Sequence, residues 1–168
     1  MDSVCASIGQ GLLVYHAALK KQEGLSIEEV EKWVNENKLK FCHWFTVDDL
    51  YYLKRGGRIS SATAVFGSIL NIKPLLSMNN EGVLYLADKI RGRKKTLSSM
   101  ISKIKGNLNP ENKLIVVGHV DCLEEATEVA DSIREEFSLE TKVTPMGSII
   151  GTHTGPGTVG VTFMGNSR

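Results

Sequence analysis

The second half of the chain alternates strand-like segments with amphipathic helices, and no other sequence feature limits the fold as strongly. Residues 113–120 contain the apolar run Leu-Ile-Val-Val, which predicts a buried strand. Residues 123–137 space apolar side chains at helical intervals among glutamates, and residues 141–144 return to strand-like composition. Before them, residues 72–78 and 83–90 predict the two strands of a hairpin. Together these segments predict an α/β fold with a mixed sheet and flanking helices.

Helices are predicted to surround a single strand in the first half of the chain. An apolar helix ends at a lysine-rich stretch just before Gly24. Ser26 opens a second helix through the S-x-x-E pattern typical of a capping box, and residues 40–47 follow as a strand. Asp48 is predicted to cap a short helix, and Ser60 is predicted to cap the helix after it.

Composition disfavours several classes of protein. The 20 Lys and Arg residues nearly balance the 19 Asp and Glu residues, so no overall positive field favours nucleic acid. The three cysteines lie far apart, without a C-x-x-C pair, and indicate reduced thiols in a cytoplasmic protein rather than a zinc site. No apolar run approaches the ~18 residues that would cross a bilayer. The sequence contains neither the phosphate-binding G-x-x-x-x-G-K-[ST] loop nor the G-x-S-x-G elbow of a serine hydrolase.

The most unusual local composition lies in residues 147–160, which hold five glycines, one proline and one imidazole. Glycine exposes backbone N–H groups and allows positive φ, so such a segment can approach a bound group closely. His153 would then act as a directional hydrogen-bond donor, with the hydroxyl of Thr152 beside it. From the spacing alone, the segment is equally compatible with a glycine-rich turn before a last strand at residues 159–164.

Five motifs follow one another along the chain: Ala6–Gly11, Phe45–Ser60, Ile72–Leu76, Gly92–Lys95 and His153–Gly157. In this order and spacing, the chain resembles the DegV family of bacterial fatty-acid-binding proteins. The better-understood members of that family are the acyl-binding subunits of bacterial fatty acid kinase. The resemblance covers nearly the whole chain, but it corresponds only to the later part of a typical two-domain member.

The resemblance implies a DegV-like C-terminal domain and a division of the chain into two parts. Residues 1–39 would be a helical remnant of the N-terminal α/β domain with its linker helix. Residues 40–168 would be the C-terminal lipid-binding domain. Leu12, Leu13 and Val14 form an apolar face without a predicted partner upstream, and this face is the feature that suggests a remnant.

The resemblance also implies a ligand and the residues that hold it. A long-chain fatty acid would lie in the apolar interior with its carboxylate on His153. The Ser and Thr that assist this histidine in the family have no counterpart in the chain. A separate kinase subunit would form the acyl phosphate, so no catalytic residue, cofactor or metal is expected. The ligand-binding residues expected are His153, Thr152, Gly155, Gly157, Arg58, Ile59 and Phe66. By local pattern alone, Arg58 is typical of a solvated arginine after a helix C-cap, and Ile59 and Phe66 are typical of an ordinary core.

A compact basic run at residues 91–95 is the surface on which the resemblance implies that the kinase subunit docks. Clustered cations can bind an acidic partner or steady a transferred phosphoryl group, although such a run is equally typical of a solvated strand end. The partner-binding residues expected are Arg91, Arg93 and Lys94. Nucleic acid is not expected to bind, and contact with a membrane is expected to be transient at most.

Two other functions are compatible with the residues. Related folds in dihydroxyacetone kinases hold a small carbonyl substrate through a histidine, so His153 could be the nucleophile of a phosphotransfer enzyme subunit. Alternatively, the glycine-rich segment could be only a turn in a non-catalytic regulatory module. A small polar cavity would favour the carbonyl substrate, an apolar tunnel would favour lipid, and an exposed His153 without a cavity would favour the regulatory module.

Overall fold

The computed structural model describes residues 2–60 and 71–168. The helix predicted to begin after Ser60 and the predicted site residue Phe66 lie outside these ranges. In chain order, the elements are α1 (Ser7–Gln22), α2 (Ile27–Asn37), a 3-10 turn (Lys38–Lys40), β1 (Phe41–Thr46), α3 (Leu50–Arg55), β2 (Ile72–Met78), β3 (Leu84–Arg91), α4 (Arg93–Lys105), β4 (Ile115–Val120), α5 (Leu123–Phe137), β5 (Thr141–Pro145), α6 (Ser148–Thr154) and β6 (Thr158–Met164).

The strands of the described residues form one six-stranded sheet in the order β3-β2-β1-β6-β4-β5. Strands β4 and β5 are parallel, and the other neighbouring pairs are antiparallel. Parallel neighbours need a long crossover connection, and α5 supplies it between β4 and β5. The predicted α/β fold with a mixed sheet and flanking helices is therefore confirmed.

Helices α4 and α5 cover one face of the sheet. Met100 and Ile104 of α4 and Ile133 of α5 are fully buried together with Val117 and Phe163 of the central strands. Burial of each large apolar side chain contributes about 1.5–3 kcal/mol to stability. The helical spacing of apolar residues that predicted α5 is therefore the face by which this helix packs on the sheet.

Helix α1 covers part of the opposite face, and α2 packs against α1. Leu12 and Leu13 are buried in a cluster that includes Phe41 of β1 and apolar residues of α2. Val14, the third residue of the face predicted to lack a partner, is 61% exposed. Helix α1 packs on β1, β4 and β6 of the sheet, α2 packs on α1, and a division of the chain after residue 39 stays a prediction.

The helix caps show where local signals suffice and where they do not. Ser26 forms the predicted capping box, since its Oγ accepts the Glu29 N–H at 3.2 Å and the Glu29 carboxylate accepts the Ser26 N–H at 2.7 Å. The prediction that Asp48 caps α3 is wrong, because the cap is Asp49. Asp48 instead forms an ion pair with Lys73 of β2 at 2.8 Å, a tertiary contact that a local pattern cannot reveal.

The glycine-rich segment contains a short helix, α6, that was not predicted. The helix follows Gly147 and ends at Gly155, whose φ of 78° lies in the left-handed region that favours glycine. A Cβ at Gly155 would also overlap the ring of Tyr52 on α3. His153 consequently lies on the last turn of a helix that packs beside α3, rather than in a loop.

Candidate functional site

A largely apolar cavity of about 280 Å³ lies on the side of the sheet that carries α1. Strands β1 and β6 contribute its floor, and the start of α1, helix α6 and the β2–β3 hairpin contribute its walls. Polar side chains, among them two histidines and an arginine, interrupt the apolar lining at a few points. The apolar lining includes Ile8, Phe45, Leu53, Met78, Met146 and Ile150.

The register of the sheet determines which residues form the floor. In the antiparallel pairing of β1 with β6, His43 lies opposite Thr162 and Phe45 lies opposite Gly160. Gly118 of β4 lies opposite Gly160 on its other side. Directly opposed residues of antiparallel strands project to the same face. The floor therefore combines an imidazole and an aromatic ring with Gly160, and Gly118 lies beside Gly160 beneath Met146 and Ile8.

The imidazole of His153 borders this cavity. It packs so closely on Gly56, which follows α3, that a Cβ at residue 56 would overlap its Nδ1 atom. Nδ1 is buried and has no hydrogen-bond partner among the described residues. A buried polar atom without a partner costs about 1–3 kcal/mol, so the close packing of the imidazole on Gly56 leaves an unpaired nitrogen beside the cavity.

The side chain of Arg58 is exposed and borders the same cavity. Its Nη1 donates a hydrogen bond to the Gly56 carbonyl oxygen at 2.7 Å. Gly56 thus contacts both the imidazole of His153 and the guanidinium of Arg58. Both side chains can donate to a carboxylate, so an anionic group at this edge of the cavity would meet two donors.

Among the described residues, the other predicted ligand-binding positions do not line the cavity. Thr152 is exposed, and its hydroxyl donates back to a carbonyl of its own helix at 2.8 Å. Gly155 is buried at the end of α6, and Gly157 borders a separate polar groove. Ile59 packs partly buried against an apolar cluster around α3. Their roles in ligand binding stay predictions, as does that of Phe66.

His43 lines the cavity although its place in a predicted strand favours a purely structural role. Its Nε2 accepts the Ala6 N–H at 3.4 Å just before α1, and a Cβ at Gly9 would overlap the same atom. Burial, with the nearby charge of Arg168, lowers the pKa of His43 to about 4. The imidazole is therefore neutral at pH 7. His43 and Phe45 are alternate residues of β1 and therefore face the same side of the sheet. This alternation is the one sequence signal that could have identified His43 as a cavity residue.

Arg93, which was predicted to face a partner, is bound within the chain. Its Nε donates to the Glu125 carboxylate at 3.0 and 3.1 Å, its Nη2 donates to the Gly157 carbonyl oxygen, and its Nη1 lies 3.6 Å from Asp48 Oδ1. Although burial works against the charge, the hydrogen bonds and charge of Glu125 raise the pKa of Arg93. Through these contacts, the Arg93 guanidinium connects the start of α4 to α5 and to the segment that follows His153.

Arg91 and Lys94, the other two predicted partner-binding residues, are exposed on either side of Arg93. Their side chains are therefore available to an acidic surface, and their role stays a prediction. In the ranges that the structure describes, no helix is long and apolar enough to cross a membrane. In the same ranges, no three or more His, Cys, Asp or Glu residues are grouped so that they could hold a metal ion.

Residues 1–166 match the model of the DegV family, which is described as a family of uncharacterised proteins. A DegV domain-containing protein of Clostridium perfringens is 46% identical over 170 residues, which cover 100% of this chain and 58% of that protein. A DegV lipid-binding protein of Thermotoga maritima has a similar structure, with a TM-score of 0.84 and 30% identity over 100% of this chain and 59% of that one. DegV of Bacillus subtilis, a fatty-acid-binding protein, has a TM-score of 0.80 and 33% identity, with 99% and 60% covered. The chain spans less than two thirds of the length of these relatives.

Proposed function

This chain belongs to the DegV family, and on that basis we propose that it binds a long-chain fatty acid and presents the carboxylate to a separate kinase subunit. The observation that carries the proposal is an apolar cavity bordered by the imidazole of His153, whose Nδ1 lacks a partner among the described residues. The fatty-acid-binding and lipid-binding descriptions of two structurally similar proteins support the choice of ligand.

The acyl tail would supply most of the affinity. Each CH₂ group that leaves water for an apolar site contributes about 0.8 kcal/mol. Phe45, Leu53 and Ile150 offer such an environment, because all three line the cavity. A tail held in this way needs no specific polar contact along its length, which fits the scarcity of polar side chains in the lining.

The carboxylate would be held at the edge where His153 and Arg58 meet beside Gly56. A hydrogen bond to a charged group contributes about 1.5–3 kcal/mol, less than the burial of several CH₂ groups. The polar contacts would therefore fix the orientation of the carboxylate more than they fix the amount of lipid bound. A fixed orientation is what phosphoryl transfer to a carboxylate oxygen requires.

The proposal also assigns catalysis to a separate partner subunit. Arg91 and Lys94 offer exposed positive charge to an acidic partner surface. Arg93 links the same region to the carbonyl of Gly157, four residues after His153. A kinase subunit that docks on the basic run would therefore contact the structural unit that carries the carboxylate site.

The apolar lining gives less support to a small carbonyl substrate. Such a substrate has little apolar surface to bury, so its site needs several convergent polar groups. The cavity instead has mainly aliphatic and aromatic walls, and polar side chains interrupt its lining at only a few points. The regulatory-module alternative expects His153 to be exposed without a cavity, whereas its Nδ1 is buried and its ring borders one.

Lipid extraction and mass spectrometry of the native protein test the proposal. We expect long-chain fatty acid at close to one molecule per chain, and acyl phosphate when a fatty acid kinase subunit and ATP are added. Ile150→Glu places a charge in the cavity lining and should abolish lipid retention. Leu123→Glu, the same kind of change at a residue that is 58% exposed outside the cavity, should leave it unchanged. A wild-type protein free of lipid and unable to take up added fatty acid would contradict the proposal.

A further inference from the structure

Two glycines leave space on the cavity side of the sheet, where Gly160 lines the cavity floor and Gly118 lies beside it. Gly118 of β4 and Gly160 of β6 lie directly opposite each other, so the two missing side chains are neighbours on one face. A Cβ at Gly118 would lie 2.8 Å from Met146 Cε and 2.9 Å from Ile8 Cδ1. A Cβ at Gly160 would lie 3.1 Å from the same Met146 Cε. The methyl end of Met146 therefore fills the space that the glycine pair leaves open.

A hydrogen bond fixes the backbone of Met146, whereas its side chain can adopt other rotamers. Its N–H donates to the His119 carbonyl oxygen at 2.8 Å, directly after β5. The side chain lines the cavity and is only partly buried. Methionine is unbranched and flexible, so it can refill irregular space, whereas the β-branched Ile8 beside it is stiff. Met146 is therefore the part of this wall that can move without displacing a strand or helix.

Because the cavity is small, the flexibility of the Met146 side chain affects how large a ligand can enter. A volume of about 280 Å³ lies just below the roughly 300–1,000 Å³ typical of small-molecule sites. A longer apolar tail needs further room, and withdrawal of the Met146 methyl group from above Gly118 and Gly160 would provide it. We propose that Met146, seated over this glycine pair, sets the length of the acyl chain that the protein accepts. The inference rests on the proposed fatty-acid function.

Three substitutions at Met146 test the inference in opposite directions. Met146→Ala opens the space above the glycine pair and should shift the preferred chain to one at least two carbons longer. Each further CH₂ group that becomes buried should tighten binding about fourfold. Met146→Phe fills that space and should shift the preference to shorter chains. Met146→Leu nearly conserves the volume and should keep the wild-type preference.

The measurement is displacement of a fluorescent fatty acid from the wild-type protein and from each variant by a series of saturated straight-chain acids that differ by two carbons. Thermal unfolding of each variant identifies any that does not fold. If Met146→Phe does not fold, Gly160→Ala replaces it. Its Cβ would lie 3.1 Å from Met146 Cε and 3.2 Å from Phe45 Cβ, so it narrows the same part of the cavity and should likewise shift the preference to shorter chains.

The possible outcomes distinguish this inference from the function on which it rests. Opposite shifts for Met146→Ala and Met146→Phe would support it. An unchanged length preference in folded Met146→Ala and Met146→Phe would overturn the inference and leave the fatty-acid proposal intact. If no fatty acid displaces the probe from the wild-type protein, both are overturned.

Discussion

Gly56 brings two donors together at the edge of the cavity. It contacts the imidazole of His153 on one side, and its carbonyl oxygen accepts a hydrogen bond from Arg58 on the other. A side chain at residue 56 would displace the imidazole, because its Cβ would overlap Nδ1. The position of His153 therefore depends on the absence of a side chain on a different element.

Because of this contact, Gly56→Ala and His153→Ala should affect carboxylate recognition in the same way. Each removes a hydrogen bond worth about 1.5–3 kcal/mol, so affinity for a fatty acid relative to the corresponding fatty alcohol should fall about tenfold or more. Competition with a fluorescent fatty acid measures the ratio. Ser148→Ala, a change at an exposed position on the first turn of α6, is the matched control. A wild-type ratio in His153→Ala would refute the role of His153.

Single residues were predictable only where a local motif singles them out. His153 and Arg58 stand in motifs of unusual composition, and both border the cavity. His43 and Met146 border it too, but neither stands in such a motif, and only the alternation of His43 with Phe45 along β1 indicates the face on which His43 lies. Their positions follow from strand pairing and from the glycines opposite them, which are properties of the tertiary structure.

Most helices and strands were predictable because each carries its own periodic pattern. The amphipathic spacing of α5 and the apolar run of β4 placed these elements within about two residues of their observed bounds. Helix α6 was missed because glycine-rich composition favours a turn, whereas packing of α6 against α3 stabilises a helix there. Local propensity was overridden by tertiary contacts at the segment that carries His153.

At the start of α4, Arg93 and Lys94 should respond differently to the same substitution. Arg93→Gln removes the ion pair with Glu125 and a hydrogen bond to Gly157, at a cost of about 2 kcal/mol. A cost of that size should lower the Tm by about 4–8 °C for a chain of this length. Lys94→Gln changes an exposed side chain and should leave the Tm nearly unchanged. Equal Tm values for the two variants, measured by thermal denaturation, would count against the structural role of Arg93.

The cavity is a property of the whole molecule. Its lining comes from segments as far apart in the sequence as Ile8, Phe45, Met78 and Ile150, which meet only through the order of strands in the sheet. Spacing along the chain therefore could not predict it. The family resemblance predicted a cavity of this kind because the arrangement belongs to the fold and not to any one motif.

Buried histidines also make the stability of the whole molecule depend on pH. Burial, with Arg168 nearby, lowers the pKa of His43 to about 4, and burial, with Lys20 nearby, lowers the pKa of His16. In the unfolded chain both imidazoles should titrate near the ordinary value of about 6.5. The unfolded state then binds more protons than the folded state below that pH. The stability that depends on neutral imidazoles is therefore complete above about pH 6.5 and is lost as the pH falls towards about 4.

The free energy of unfolding should show this loss directly. Between about pH 7 and pH 4, His43 alone should lower it by about 3 kcal/mol, because one pKa unit corresponds to about 1.4 kcal/mol. His43→Gln keeps an acceptor for the Ala6 N–H but cannot take up a proton, so its stability should decline less by about that amount. Urea titrations of the two proteins across this range measure the difference. Parallel pH profiles would mean that His43 binds protons equally in the folded and unfolded states, and the link between its burial and acid sensitivity would be abandoned.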